Sequence, residues 1–443
     1  MNILDKNISE LMDLMDKKEI TSEEIVKIYM ENIFEKELEK GVYKSLCEKE
    51  SIEKAKEIDK KRKKGEKLGA LAGIPIAVTE DISTKGILTE AGSKILKDYI
   101  PPFNATIIEK LLAEDAIILG KVKISEFSLE DSEYGAKCIL DRGALVVIGS
   151  SGEGRDVVKL KPSYGLVSRY GIISATSSLS PLILVAKEIN DLALVLNIIS
   201  GYDRRDSTSV DLTQGDSPLV SLKKYNAEKT TSPVSKVKIV KELSNDNLVK
   251  DIKELGINVG KTTIETGKYI LPAFKILSSA EFASITARYD GIRYGYRSND
   301  YENREELYKN TRSEGFGKEA KKTIIFGNHV INAGQYERYY KKSQQIRSLI
   351  KDEIDKILED GSILLLPLSD DSDENLKKGY KELGSMTGYP MLSIPYRGAE
   401  NEYTELYMLS SGFDEENLVQ LANEMTQGAT RKPVPIVSHG GEK

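Results

Sequence analysis

The chain has 443 residues, 40% hydrophobic and 30% charged, a balance that folded soluble proteins have and disordered chains lack. Its 70 acids outnumber its 64 bases, and the net charge of −6 excludes a general affinity for nucleic acid or anionic membrane. Two cysteines, Cys47 and Cys138, and two histidines exclude a disulfide framework and fit no metal motif, so neither a metal nor another cofactor is expected. With no apolar run of membrane length and no signal-peptide core in MNILDKNISE, the sequence points to a cytoplasmic protein.

In chain order, the first 65 residues read as helices. Ile8, Leu11, Leu14 and Met15 keep one face apolar. Thr21–Glu24, TSEE, is a capping-box pattern that opens the next helix. A third helix, near Ser51–Lys64, ends in the basic run KKRKKGEK. Lysines near a helix C-terminus suit its dipole, so the run reads as a solvated helix end. Leu71–Val78, LAGIPIAV, is a short buried strand. Asn104–Ala116 is an Asn-capped amphipathic helix, and Ile117–Val122, IILGKV, is the next strand. This strand–helix–strand unit predicts a mostly parallel sheet covered by helices. A helix at Glu188–Ile199 and a strand at Val237–Lys241 continue the alternation. Long helices fill Pro272–Glu359. Strands follow at Ser362–Leu368, Met391–Tyr396 and Thr404–Ser410, then a helix at Asp414–Gln427. The Ser/Thr/Lys-rich stretch Asp211–Ser235 reads as a loop or linker.

Ala144–Ser163, ALVVIGSSGEGRDVVKLKPS, runs from a strand into a glycine-rich loop with adjacent serines, Ser150 and Ser151. Gly149 and Gly154 have the outer spacing of a phosphate loop, but Arg155 and Asp156 stand where Lys-Ser/Thr belongs. A serine nucleophile needs a base and backbone donors for the oxyanion. His439 lies in the C-terminal VSHGGEK, and His329, in IIFGNHVINAG, reads as a helix-packing residue; no G-x-S-x-G elbow exists to partner it. A neutral buried lysine is the usual substitute. On spacing alone the loop is a turn before it is a catalyst.

Longer motifs carry a family resemblance. LAGIPIAV, ATIIEKL, AIILGK, LKPSYGLVSRYGIISATSSL, GYDRRDSTSVD, ARYDGIRYGYR and TRSEGFGKEAKK resemble the amidase signature family from about Ile3 to Gln427. Ala287–Arg297 and Thr311–Glu319 narrow the resemblance to its GatA branch, the A subunits of tRNA-dependent amidotransferases (GatCAB). The resemblance implies one large α/β domain, the amidase signature fold, with a mixed, mostly central β-sheet covered by helices. Residues 1–65 would then be an N-terminal helical segment packed on the core, 66–430 the core and 431–443 a tail. It also implies a Ser–cis-Ser–Lys triad that splits an amide, glutamine's in GatA, and passes ammonia to a B subunit. GatB-like and GatC-like partners are implied, with no direct contact to nucleic acid or membrane.

The site departs from that pattern. The family's lysine position, in GIPIAIKDN, falls on Thr79 in GIPIAVTED. Two serine loops of the family are compressed into Ala144–Lys161. Ser150 and Ser151 remain as vestigial candidates, with Gly149, Gly152 and Gly154 as the oxyanion-type loop. In the substrate pocket Tyr289 is kept, Thr323 replaces the second arginine of KRRI, and the pocket acid falls on Lys378. The leading reading is a catalytically degenerate GatA-like subunit with a structural or regulatory role. The alternatives are an active amidase or glutaminase pairing Ser150 or Ser151 with Lys121, Lys159 or Lys161, and a small-molecule binding pseudoenzyme.

Overall fold

The computed structural model describes residues 2–150, 152, 154–179, 182–212, 234–244, 246–293, 295–369, 371–397 and 403–427. Its strands are β1 Tyr43–Leu46, β2 Pro75–Thr79, β3 Ile117–Val122, β4 Val146–Gly149, β5 Val158–Lys161, β6 Ile183–Ala186, β7 Lys236–Val240, β8 Asn258–Thr262, β9 Ile363–Ser369, β10 Met391–Arg397 and β11 Tyr403–Leu409. All 11 form one sheet in the order β1-β3-β2-β4-β6-β5-β10-β11-β9-β7-β8. Parallel triplets, β3-β2-β4 and β9-β7-β8, stand on either side of an antiparallel centre. This is the expected α/β architecture with a mixed sheet, but not the mostly parallel sheet predicted from the strand–helix–strand unit: six of the ten strand pairings are antiparallel, because the short central strands are joined without crossover helices. No helix among the described residues is long and apolar enough to cross a membrane.

β2, β3 and β4 are buried at every position, as strands covered on both faces must be. The helix Thr106–Ala113 supplies the crossover from β2 to parallel β3. Asn104 does not cap that helix. The N-cap is Ala105, and the Asn104 side chain instead accepts from Lys85 N–H at 2.7 Å, which ties down the loop before it. Tyr43–Leu46 lies in the stretch read as helical, yet it is a strand. It pairs antiparallel with β3, and Gly120 permits the approach: a Cβ there would sit 2.4 Å from Ser45 O. β5, β6 and β8 lie in stretches without a strand assignment from sequence; β5 and β6 have four residues each, and the five of β8 are mostly exposed. Residues 213–233 of the expected linker lie outside the described residues.

Both N-terminal helices, Ile8–Asp16 and Ser22–Glu35, start on capping boxes, Asn7 with Glu10 and Thr21 with Glu24. Ile8, Leu11 and Met15 join the main hydrophobic core, so these helices are part of the domain. The first is also pinned by a buried polar contact: Ile8 N–H donates to Asp191 Oδ1 at 3.1 Å. Burial pushes the Asp191 carboxyl up to about 7, and Glu188 and Glu10 add to the shift against the lowering effect of the Ile8 amide.

A carboxyl raised this far makes stability pH-dependent. Between roughly pH 4 and 7 the folded chain holds a proton that the unfolded chain has released, so stability falls as pH rises through that window. Asp191→Asn keeps the acceptor oxygen and removes the titration. It is expected to flatten the dependence of Tm on pH between about 5 and 8, and to raise Tm at the upper end. A wild-type slope in calorimetry of the variant would assign the titration elsewhere.

Candidate active site

The carboxyl ends of β2, β3 and β4 meet at one edge of the sheet, where open α/β sheets place their ligands. Val78 is in register with Lys121 on one side and Ile148 on the other, so Thr79, which ends β2, faces the loop leaving β4 at Gly149 and Ser150. Thr79 is completely buried. Its hydroxyl donates to Asp81 Oδ1, the Ser150 hydroxyl donates to Asp81 Oδ2, and Ser150 N–H donates to Thr79 Oγ1 at 3.3 Å. Burial raises the Asp81 pKa, opposed by the Ser150 and Thr79 hydroxyls and the charge of Lys121. Asp81 is thus the hub of the site. The sequence reading does not reach it, although residues two apart at a strand end share a side, so Thr79 and Asp81 belong together on spacing.

The glycines of the loop are packing glycines. At Gly149, φ is +151°, and a Cβ would fall 1.6 Å from Thr79 Oγ1. A Cβ at Gly152 would meet Ile183 at 2.5 Å, and one at Gly154, where φ is +125°, would meet the Ala136 Cβ at 2.2 Å. The Gly154 carbonyl accepts from Lys159 Nζ at 2.9 Å. Ser151 lies outside the described residues.

Three lysines are candidates for the missing base. Lys121 is fully buried, and burial brings its pKa down to about 7 against the pull of Asp81. Its amine donates to Ile82 O and to Thr84 Oγ1, the latter at 2.9 Å. Lys159 forms an ion pair with Glu405. Burial brings Lys161 down to about 8, and its amine lies 3.2 Å from both Pro162 O and Tyr389 O. Among the described residues, no lysine hydrogen-bonds Ser150.

Tyr289 is buried in an aromatic cluster, 5.7 Å from the Phe127 ring and 6.1 Å from Phe316. Thr323 is half-buried on the helix Lys318–Ile331. Lys378 is exposed on the helix Glu374–Lys381 and pairs with Glu374 at 3.5 Å. No hydrogen bond or ion pair joins these three. His329 is not a helix-packing residue: Ala320, Ile324, Gly327 and Val330 take the inner face of its helix, and it stands exposed against the Tyr339 ring. His439 lies outside the described residues.

The amidase family model matches residues 24–132 and 155–408. The gap between them, residues 133–154, holds β4, Ser150 and the whole glycine loop. The glutamyl-tRNA(Gln) amidotransferase A subunit of Thermoanaerobacter pseudethanolicus is 35% identical over 96% of this chain and 97% of its own length. That alignment spans 477 positions against the chain's 443 residues, so the relative has residues with no counterpart here. In structure, the glutamyl-tRNA(Gln) amidotransferase A subunit of Thermotoga maritima superposes with a TM-score of 0.70 at 22% identity, covering 97% of this chain and 96% of that one. Peptide amidase of Stenotrophomonas maltophilia superposes with 0.72 at 19% identity, covering 97% and 98%. The chain belongs to the amidase family, on the branch whose members are named as A subunits of glutamyl-tRNA(Gln) amidotransferases.

Proposed function

We propose that the chain is the A-type subunit of a tRNA-dependent amidotransferase assembly, docked on GatB-like and GatC-like subunits, and that it does not split glutamine by the family's serine–lysine relay. The observation that carries this is Thr79. By its motif it stands at the family's lysine position; in the fold it is buried, closed over by Gly149, and commits its hydroxyl to Asp81. Attack by Ser150 would need a base that accepts an alcohol proton near neutral pH. The group that Ser150 touches is the Asp81 carboxyl, which also accepts from the Thr79 hydroxyl, and not the amine that the relay uses. Lys121 has a suitable affinity, but its amine is turned toward Ile82 and Thr84. The unmatched residues 133–154 fit a nucleophile segment that has been shortened and rebuilt.

A second reading, an amidase with non-standard residues, is favoured by that same Lys121, because a buried lysine near neutrality is what such a relay uses. Ammonia release from glutamine separates the two. On the proposed reading the purified chain, alone and in the assembly, releases ammonia at background rate. Activity above background that Ser150→Ala or Lys121→Met abolishes would establish the second reading.

Restoring lysine at the family position is expected to leave activity at background. Thr79→Lys adds a long side chain and an ammonium where the Gly149 backbone already presses on the threonine. Overpacking and a buried charge together cost about 3 kcal/mol or more. Thermal denaturation should therefore show a lower Tm, and a glutaminase switched on by this one change would refute the assignment of the loop.

Ser150→Ala tests the structural role directly. It removes one of the two hydroxyl donors to a buried carboxyl, and leaving that acceptor unsatisfied costs roughly 1–3 kcal/mol. Tm should fall, with ammonia release unchanged.

A further inference from the structure

We infer that the outer face of the helix Lys318–Ile331, with the turn that follows it, is the surface on which a second protein subunit docks, one presenting an apolar patch rimmed by carboxylates. This rests on the subunit reading above and goes beyond it by naming the face and its chemistry.

Exposed apolar side chains are not spread evenly. Of the 15 large exposed hydrophobics among the described residues, eight fall within residues 292–349, about one-eighth of the chain. The outer face of the helix Lys318–Ile331 carries Ile325, 71% exposed, and Phe326, 41%; Ile331, at the helix end in the row of Ile324 and Gly327, is 40% exposed, and Tyr336 in the following turn is 42% exposed. The helix cannot roll to bury them. Gly327 sits so close to the helix Gly267–Thr286 that a Cβ would lie 2.0 Å from Ser279 O, and Ala320, Ile324 and Val330 fill the rest of that contact face. Lys318, Lys322, Ile325 and His329 follow at helical spacing along the opposite side. The turn is held by rings: Tyr336 stacks on Tyr340 with centroids 5.2 Å apart, and His329 meets Tyr339 at 5.8 Å. The face is therefore an ordered one, and clustered apolar exposure of this kind marks an interaction surface.

Charge identifies the partner. Residues 318–342 carry six lysines and arginines against two glutamates, in a chain whose net charge is −6. Lys322 and Lys341 are paired locally with Glu319 and Glu337, but Lys318 and Lys321 have no ion pair among the described residues. Free cations beside exposed isoleucine and phenylalanine fit an apolar protein surface with an acidic rim. RNA would use the cations, yet it offers nothing to Ile325, the most exposed residue of the group, because phosphate contacts are polar.

The test uses the full chain with co-expressed GatB-like and GatC-like subunits of the same organism, with Kd measured by interferometry. Ile325→Ser with Phe326→Ser is expected to weaken binding by about tenfold or more. Lys318→Glu with Lys321→Glu should weaken it several-fold, mostly by slowing association, with the deficit shrinking at high salt. Phe34→Ser with Ile100→Ser, exposed elsewhere, should leave Kd unchanged, and all three pairs should keep the wild-type Tm because the residues are exposed. If the wild type binds and both helix variants bind equally well, this surface is wrong and the subunit reading stands. If the wild type binds neither partner, the subunit reading fails and takes the surface with it. Loss of tRNA binding with subunit binding intact, or a wild-type homodimer that the serine pair dissolves, would also overturn the assignment.

Discussion

Strand β2 lies between two parallel neighbours, with every one of its five residues buried. Parallel strands in this position need a continuous apolar run and a crossover helix, and Pro75–Thr79 and Thr106–Ala113 meet those needs. The strand ends on a polar residue at the carboxyl edge of the sheet, and the chain then has to satisfy a buried hydroxyl and two buried carboxyls within three residues: Glu80 turns to Ile124 N–H, and Thr79 and Asp81 turn to each other. Ser150, delivered by the parallel partner β4, completes that set. The geometry of the site therefore follows from strand register: whatever residue ends β2 is presented to whatever loop leaves β4.

This arrangement ties the residue that ends β2 to the loop that leaves β4. Buried polar groups must be hydrogen-bonded, so a replacement at the end of β2 holds only if the opposite loop answers it. Thr79, Asp81 and Ser150 form a closed set, with each hydroxyl hydrogen and each carboxylate oxygen assigned. Lys121 is brought into the same neighbourhood by its register on β3, but its amine is anchored to the backbone at Ile82. A serine beside a buried lysine is thus insufficient evidence of a nucleophile; the direction of the amine decides.

Much of the fold was legible because the signals were long or reinforced. IILGKV is β3 residue for residue, and TSEE opens the helix Ser22–Glu35 with both halves of its capping box made. The failures were short or depended on a partner. β1 has four residues and exists because Gly120 on β3 admits its backbone. Asn104 has the right identity for an N-cap, but its side chain is claimed by Lys85 N–H. At the site, the motif around Thr79 and the serine of the glycine loop draw attention to the two hydroxyls that the structure brings together. Asp81 could not be read in this way, since its importance comes from Ser150, 69 residues away and joined only through strand register. The outward-facing His329 was likewise hidden, because the inner face of its helix is fixed by a glycine's closeness to Ser279.

The fit of Gly149 against Thr79 has a historical consequence. The glycine's missing Cβ and its left-handed backbone are what let the loop rest on the threonine side chain, so the two positions are energetically coupled. A lineage that changes one of these positions is pressed to change the other, because a side chain at 149 collides with the threonine and a longer one at 79 presses on the loop. The pair then drifts as a unit: selection on folding alone, whatever the site does, suffices to hold both positions together.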